Sequence, residues 1–438
     1  MLVLKCKIEI DCKDKESGAK KQKISFDYVS SVVVKTSCKS LGDTASVVVP
    51  RKMLEKAGNP FGNFLNRDGK RKSIGDSVGR GDEITIQLGY DKFGLHTVFK
   101  GYITHIEWGQ QLTIKCEDKT FLLRNKVAMT DENGKSIIYV PFDVKKFLEK
   151  NNLKDITVAN EEKYVFGDMN IEGHLRVDQV LDKVTSAYPY IRIFFRYDNY
   201  KDGKKVEEAS EKLYITRSTE PISAEKKPTV FSPERNIIDD SKLTYINIDD
   251  LKLIITAEVV AHCNDVEFTD EKKENSKVEE QKNNPAEELK DNNTEQEQKK
   301  PAYKKLTADY PAKIAENNKN GYEQRVYFHP ESIDEAKAEQ NIEKGEPVKE
   351  EYVVTKLREY AQGRYELFAT DRVNGSFTAF GEPFVLKGDS VKFDYGDFRP
   401  ELNDKEFIVD GVEYNFGSNG YRQTITLGYQ AIQKPASN

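Results

Sequence analysis

The chain has one tryptophan, five cysteines and five histidines in 438 residues, and each scarcity excludes something. Cys6, Cys12, Cys38, Cys116 and Cys263 are odd in number and lack any C-x-x-C spacing, so neither a disulfide framework nor a thiolate metal site is indicated. Three of them sit in strand-like runs, which suggests reduced thiols in a chain that folds in a reducing cytoplasm. His96, His105, His174, His262 and His329 are scattered, without the H-E-x-x-H or comparable spacing of a zinc site. His262-Cys263 is the nearest approach to a nucleophile and base. Neighbours along a strand point to opposite faces, however, so imidazole and thiolate would not meet. Gly79-Arg80-Gly81 runs into a strand rather than a helix N-terminus and so lacks a phosphate cradle, and neither a G-x-S-x-G elbow nor a Walker sequence occurs. With Trp108 as the single tryptophan, sugar-stacking platforms are not expected, although Tyr and Phe number 22 each.

Long apolar runs are also missing. Nothing approaches the roughly 20 residues of a membrane-spanning helix, and the first residues alternate Leu2, Leu4, Cys6, Ile8, Ile10 with Lys5, Lys7 and Glu9, a strand rather than a signal peptide. Charge of one sign is lacking too: 68 basic and 74 acidic residues leave a net −6, without the basic excess that phosphate contacts require. Both signs together make up 32% of the chain, so carboxylate pairs such as Glu117-Asp118, Asp239-Asp240 and Asp249-Asp250 read as turns and solvated edges. A glycosidase nevertheless needs only two carboxylates across a cleft.

What the chain has is alternation. A β-pattern near the N-terminus returns near the C-terminus in the same order. Gly81-Asp82 precedes Ile84, Ile86 and Leu88, followed by Gly101 and Ile103, a turn at Gly109, and Leu112, Ile114 and Cys116. Gly388-Asp389 precedes Val391, Phe393 and Tyr395, followed by Gly411, Val412 and Tyr414, turns at Gly417 and Gly420, and Ile425, Leu427 and Tyr429. Further strands are expected around Ile24, Val32 and Val47, a short helix at 53–56, and an aperiodic excursion at 59–79. Helical spacing appears after Pro141-Phe142-Asp143 (Val144, Phe147, Leu148), at Val180, Leu181 and Val184, and over 350–361 (Val353, Val354, Leu357, Ala361). Strands follow at Ile191, Ile193 and Phe195, at Leu213 and Ile215, and at 325–328. The run 243–260 alternates again and predicts the start of a second barrel.

The expected fold is α+β, mainly β: two similar β-barrel domains with small α+β domains between and around them. The boundaries are 1–124 for the first barrel, 125–235 for an α+β domain, 236–263 with 375–438 for the second barrel, and 303–374 for another α+β domain. Between them, 264–302 is a charged insertion with too little apolar surface to offset its ordering entropy.

Four segments in order carry a resemblance. They are Leu41-Gly42-Asp43-Thr44-Ala45-Ser46-Val47-Val48-Val49-Pro50-Arg51; Gly81-Asp82-Glu83-Ile84 with Phe99-Lys100-Gly101-Tyr102-Ile103; Phe377-Thr378-Ala379-Phe380-Gly381-Glu382-Pro383 with Gly388-Asp389-Ser390-Val391; and Gly420-Tyr421-Arg422-Gln423-Thr424-Ile425. Together they resemble the baseplate hub protein of contractile phage tails and related injection systems. The resemblance implies a structural homotrimer whose two barrels per chain form a ring of six and adapt a sixfold tail tube to a threefold spike. It further implies a separate spike protein, tail tube or tube-initiator subunits and other baseplate proteins as partners, and no membrane association as a free subunit. The lumen is one that DNA could pass without specific binding. The place implied is the virion baseplate, assembled in the host cytoplasm. No catalytic, cofactor-binding or metal-ligating residue is assigned and no cofactor is expected. The alternatives are a tail-associated cell-wall hydrolase, an adhesin, and the hub of a phage-derived injection particle.

Overall fold

The computed structural model describes residues 2–13, 20–50, 78–128, 137–139, 142–160, 164, 166–167, 169–171, 174–201, 204–222, 227–248, 252–268, 303–311, 321–343 and 345–432. The expected helix at 53–56, nearly all of the excursion at 59–79, the charged insertion beyond 268 and Asp249-Asp250 lie outside them.

Period-2 burial sets the strands. Val32 and Val34 in Ser31–Ser37, Val47 and Val49 in Thr44–Pro50, and Ile84, Ile86 and Leu88 in Glu83–Tyr90 are fully buried between half-exposed neighbours. These strands join the C-terminal ones in a single 15-stranded sheet. Its main path runs Ile237–Asp239, Ser376–Phe380, Gly420–Gln430, Glu406–Gly417, Ser31–Ser37, Thr44–Pro50, Gln111–Glu117, Gly94–Trp108, Glu83–Tyr90, Leu4–Lys13 and Lys20–Phe26. No closed barrel is found among the described residues: neither set closes by hydrogen bonding, and both feed one hydrophobic core. The reason lies in Glu406–Gly417. Its first residues pair with Ser390–Phe393. Beyond a bulge at Asp410, Gly411 to Gly417 pairs antiparallel with Ser37 to Ser31.

The duplication is visible in the hydrogen bonds. In the first unit Glu83–Tyr90, Gly94–Trp108 and Gln111–Glu117 form an antiparallel meander, and Thr44–Pro50 flanks the last strand. In the second, Ser390–Phe393, Glu406–Gly417 and Gly420–Gln430 do the same, flanked by Ser376–Phe380. Gly81 N–H donates to Ile103 O at 2.8 Å and Ile103 N–H to Asp82 O at 2.9 Å; Gly388 N–H donates to Val409 O at 2.7 Å and Val409 N–H to Asp389 O at 2.8 Å. Each aspartate carboxylate also accepts the N–H three residues back, from Gly79 at 2.7 Å and from Leu386 at 3.0 Å. Each long strand then bulges one residue later, at Thr104 and at Asp410. Ile103 thus corresponds to Val409. Gly101 and Gly411, which the sequence pattern sets in parallel, are not equivalent: Gly101 sits opposite Ile84, where the second unit has Phe407 opposite Val391.

The remaining elements share a second core. Helix Val144–Lys150 starts where Asp143 accepts the Lys146 N–H at 2.9 Å, and Val177–Ala187 buries Val180, Leu181 and Val184 as their spacing predicts. Helix Glu350–Ala369 runs past its expected end at 361 and through Gly363, a weak helix former at a position where the Tyr190 ring would lie 2.7 Å from a Cβ. Strand Leu253–His262, expected in the second barrel, instead pairs with Tyr303–Tyr310 and Glu323–Phe328 and contributes to this second core. Leu253 to Ala257 are buried without alternation, so their pattern does not say which sheet they join.

Gly81 and Gly388 hold φ of +90° and +79°. A Cβ at Gly81 meets nothing within 4 Å, whereas one at Gly388 would lie 2.4 Å from Ile222 Cδ1. Gly81→Ala is expected to cost about 1–2 kcal/mol, from left-handed backbone alone. Gly388→Ala should cost about 2–4 kcal/mol once overpacking is added. Urea midpoints measure both, and equal shifts would show that Ile222 yields without penalty.

Candidate assembly interface

Strand Ile191–Lys201 joins the two cores. Ile191, Ile193 and Phe195 face the second core, as their alternation predicts, and Arg192, Phe194 and Arg196 on the other face are buried as well. Arg192 Nη1 donates to Asp410 Oδ1 at 2.6 Å, and its Nε to Ser218 Oγ at 3.0 Å. Arg196 donates to Asp389 Oδ1 at 2.7 Å and to the Lys387 carbonyl at 2.8 Å. Between the arginines Phe194 is fully buried, with the Lys387 ammonium 5.1 Å from its ring centre. The two aspartates are those of the second unit's bulge and of its Gly-Asp turn. Asp410 is also 2.7 Å from Lys39 Nζ, and its carbonyl accepts the Cys38 N–H at 2.7 Å, so one residue ties together the first unit, the second unit and the α+β body.

Beside these pairs lies a group of acids. Lys387 Nζ is 2.6 Å from Asp43 Oδ1, the Asp43 N–H donates to Asp118 Oδ2 at 2.9 Å, and Lys119 lies 3.8 Å from Glu211. Burial pushes the Asp43 carboxyl up to about 7, with Lys387 opposing and Asp118 assisting. Burial likewise carries Glu211 up to about 8, reinforced by Asp118 and opposed by Lys119, and it raises Asp118. The cavity these three carboxylates line holds about 20 Å³, room for a single water and not for a sugar ring. A larger cleft of about 540 Å³ is lined by Asp182 and Asp410 among others, but Asp410 is already bound by Arg192 and Lys39.

The histidines stay dispersed. His96 pairs with Glu382 at 2.7 Å and stacks on Phe384, bridging the two units. His329 is buried between Glu331 and Glu335, at 3.2 and 3.1 Å, and stacks on Tyr360; burial works against its protonation, but the two glutamates outweigh it and raise its pKa. His262 Nδ1 accepts the Asn264 N–H at 3.0 Å, and Cys263 is exposed in the turn. Of the carboxylate pairs singled out in the sequence, Glu117-Asp118 splits: Glu117 meets Arg124 at the surface and Asp118 joins the buried acids. Asp240 accepts from Tyr395 Oη at 2.6 Å. Among the described residues no group of three or more His, Cys, Asp or Glu side chains is placed to hold a metal ion. The buried arginines went unrecognised in the sequence. The available signal was Arg192-x-Phe194-x-Arg196, a charged and aromatic set on one face of a strand whose other face is apolar.

No family profile and no curated protein matches the chain. Solved structures similar to it over nearly its whole length include two tail proteins and a chain of a PdpA-VgrG complex. The 43 kDa tail protein of prophage MuSo2 from Shewanella oneidensis is 11% identical, with a TM-score of 0.49, covering 97% of this chain and 98% of that one. A tail protein from Neisseria meningitidis MC58 is 10% identical, with a TM-score of 0.48, covering 97% and 96%. A chain of the Francisella PdpA-VgrG complex is 10% identical, with a TM-score of 0.47, covering all of this chain and 54% of its own length.

Asp389→Ala strands Arg196 in the interior and is expected to cost about 3–5 kcal/mol. Lys35→Ala, which removes an exposed partner of Glu413, should cost less than about 1 kcal/mol. Chemical denaturation distinguishes them. Glu211 sits above its ordinary 4.5 in the folded chain, so the fold binds more protons than the unfolded chain between 4.5 and about 8, and stability falls as pH rises through that window. Glu211→Gln should flatten this fall, seen as a smaller drop in Tm between about pH 5 and pH 8.5. An unchanged slope would remove Glu211 as its source.

Proposed function

We propose that this chain is a non-enzymatic baseplate hub of a contractile tail: three copies close a ring of six like β units that adapts a sixfold tail tube to a threefold spike. The observation that carries the proposal is the repeated four-strand unit, with its matched Gly-Asp turn and bulge, joined edge to edge to its own copy within one chain. A head-to-tail contact of that kind either closes into a ring or continues as a helix, depending on its rotation. Two units per chain supply six near-equivalent positions from three chains, which is the geometric requirement for meeting sixfold symmetry on one side and threefold on the other. The α+β body, fixed by Arg192 and Arg196, leaves the sheet edges to assembly. The partners are a separate spike protein, tube or tube-initiator subunits and other baseplate proteins, in a virion assembled in the host cytoplasm; DNA would pass the lumen without specific binding. The hub of a phage-derived injection particle would use the same ring. Against a cell-wall hydrolase stands the engagement of Asp410 by two cations and the single-water size of the acid cavity.

Purified protein at high concentration should give threefold rings with six lobes by electron microscopy and a trimer by native mass, with about 2,000 Å² or more buried per neighbour contact, as in obligate assemblies. A monomer throughout, or a dimer, would overturn the ring. The same preparation should leave purified peptidoglycan intact; cleavage abolished by Asp182→Asn would overturn the non-enzymatic reading.

A further inference from the structure

One strand edge of the second unit is filled in a way that its counterpart in the first unit is not. Beyond the Asp410 bulge, Gly411 to Gly417 is covered by Ser31–Ser37. Beyond the matching Thr104 bulge, His105 to Trp108 pairs with Gln111–Glu117 on one side and with no strand on the other among the described residues. Ile103 matches Val409, and Trp108, opposite Leu112, matches Tyr414, opposite Gln423. Tyr414 is fully buried. Trp108 is 61% exposed, and His105 and Glu107 are open beside it.

The second unit also carries a counterpart of the strand that fills the edge. Ser31–Ser37 lies against Thr44–Pro50, on the side away from Gln111–Glu117. In the second unit that side is taken by Ile237–Asp239 against Ser376–Phe380 and by Thr244–Ile246 against Arg372–Asn374. The register can be carried across. Ala45 faces Cys116, and Leu427, the match of Cys116, donates its N–H to Gly375 O, so Ala45 matches Gly375 and Thr44 matches Asn374. Lys35 pairs with Thr44 and Thr244 pairs with Asn374, so Thr244 stands where Lys35 stands. Lys35 faces Glu413, with its ammonium 3.3 Å from the carboxylate, and Glu413 matches Glu107. Among the described residues Thr244–Ile246 pairs only with Arg372–Asn374, and Thr244 is exposed.

We infer that the open edge His105 to Trp108 receives Thr244–Ile246 of a second copy of this chain, antiparallel, with Thr244 opposite Glu107, Tyr245 opposite Ile106 and Ile246 opposite His105. The contact repeats between chains the pairing already made within the chain, and it rests on the ring reading above. Edge-to-edge addition satisfies backbone donors and acceptors that an exposed edge leaves to water. It also covers the chain's single tryptophan, a residue type enriched at interface centres.

The test uses the full chain with Cys263→Ser, which removes the exposed thiol. Glu107→Cys with Thr244→Cys should, on oxidation of the assembled protein, give covalent dimers and trimers on a non-reducing gel, while either single variant gives none. Lys35→Cys with Glu413→Cys is the control and should close within the monomer. Independently, Trp108 emission in the uncrosslinked protein should shift to the blue as oligomer forms on raising concentration. Rings without the Glu107–Thr244 link and without the emission shift would overturn this seam while leaving the ring standing. No oligomer at any concentration, with the control link formed, would overturn both. Links that form equally in Glu107→Cys with Lys242→Cys, at an exposed position two residues before Thr244, would overturn the register.

Discussion

The pairing of Ser31–Ser37 with Gly411 to Gly417 is the contact on which the rest depends. It turns two strand sets from opposite ends of the chain into one sheet and lets them bury a common core, with Val34 opposite Tyr414 and Val32 opposite Phe416. It also fixes the Asp410 bulge beside Cys38 and Lys39, and so creates the acidic point that Arg192 reaches from the α+β body. Gly411 is part of this contact: a Cβ there would lie 2.6 Å from the Thr36 carbonyl.

The junction between sheet and α+β body is electrostatic where the cores are apolar. Arg192, Arg196 and Lys387 each meet a buried carboxylate, and such pairs contribute little net stability, since desolvation offsets much of their attraction. What they supply is direction. A strand with one guanidinium paired to a bulge and another, four residues on, paired to a turn fits one placement of the body on the sheet, whereas an apolar patch of equal area would accept several. The raised carboxyls of Asp43 and Glu211 follow first from burying acids in that junction and then from their acidic neighbours.

The elements of this fold were largely legible in the sequence. Alternation marked the strands of both units, Gly81-Asp82 and Gly388-Asp389 marked their entry turns, and the apolar spacing in 144–148 and 180–184 marked helices, because each is a local consequence of backbone geometry. Partner choice was not legible. Nothing in Ser31–Ser37 distinguishes a strand that ends its own barrel from one that bridges to the second unit, since valines alternate equally in either. The buried arginines were missed for a related reason: in a chain this rich in charge, Arg192 and Arg196 look like the solvated face of a half-buried strand, and only the packing of that face onto a second body shows otherwise. Gly101 and Gly411 looked equivalent because glycine records a close approach without saying to which neighbour.

The bridging pair brings Thr36 within hydrogen-bonding distance of Val412, 376 residues further along. At translation rates of about 5–20 residues per second, the first strand waits roughly 20–75 s for its partner to be synthesised. Its valine-rich backbone edge is unpaired throughout that interval, a template for pairing with any other chain. High contact order slows the closing step further. Slow translation of the middle of the chain therefore lengthens the exposure of this edge to aggregation without altering the final fold.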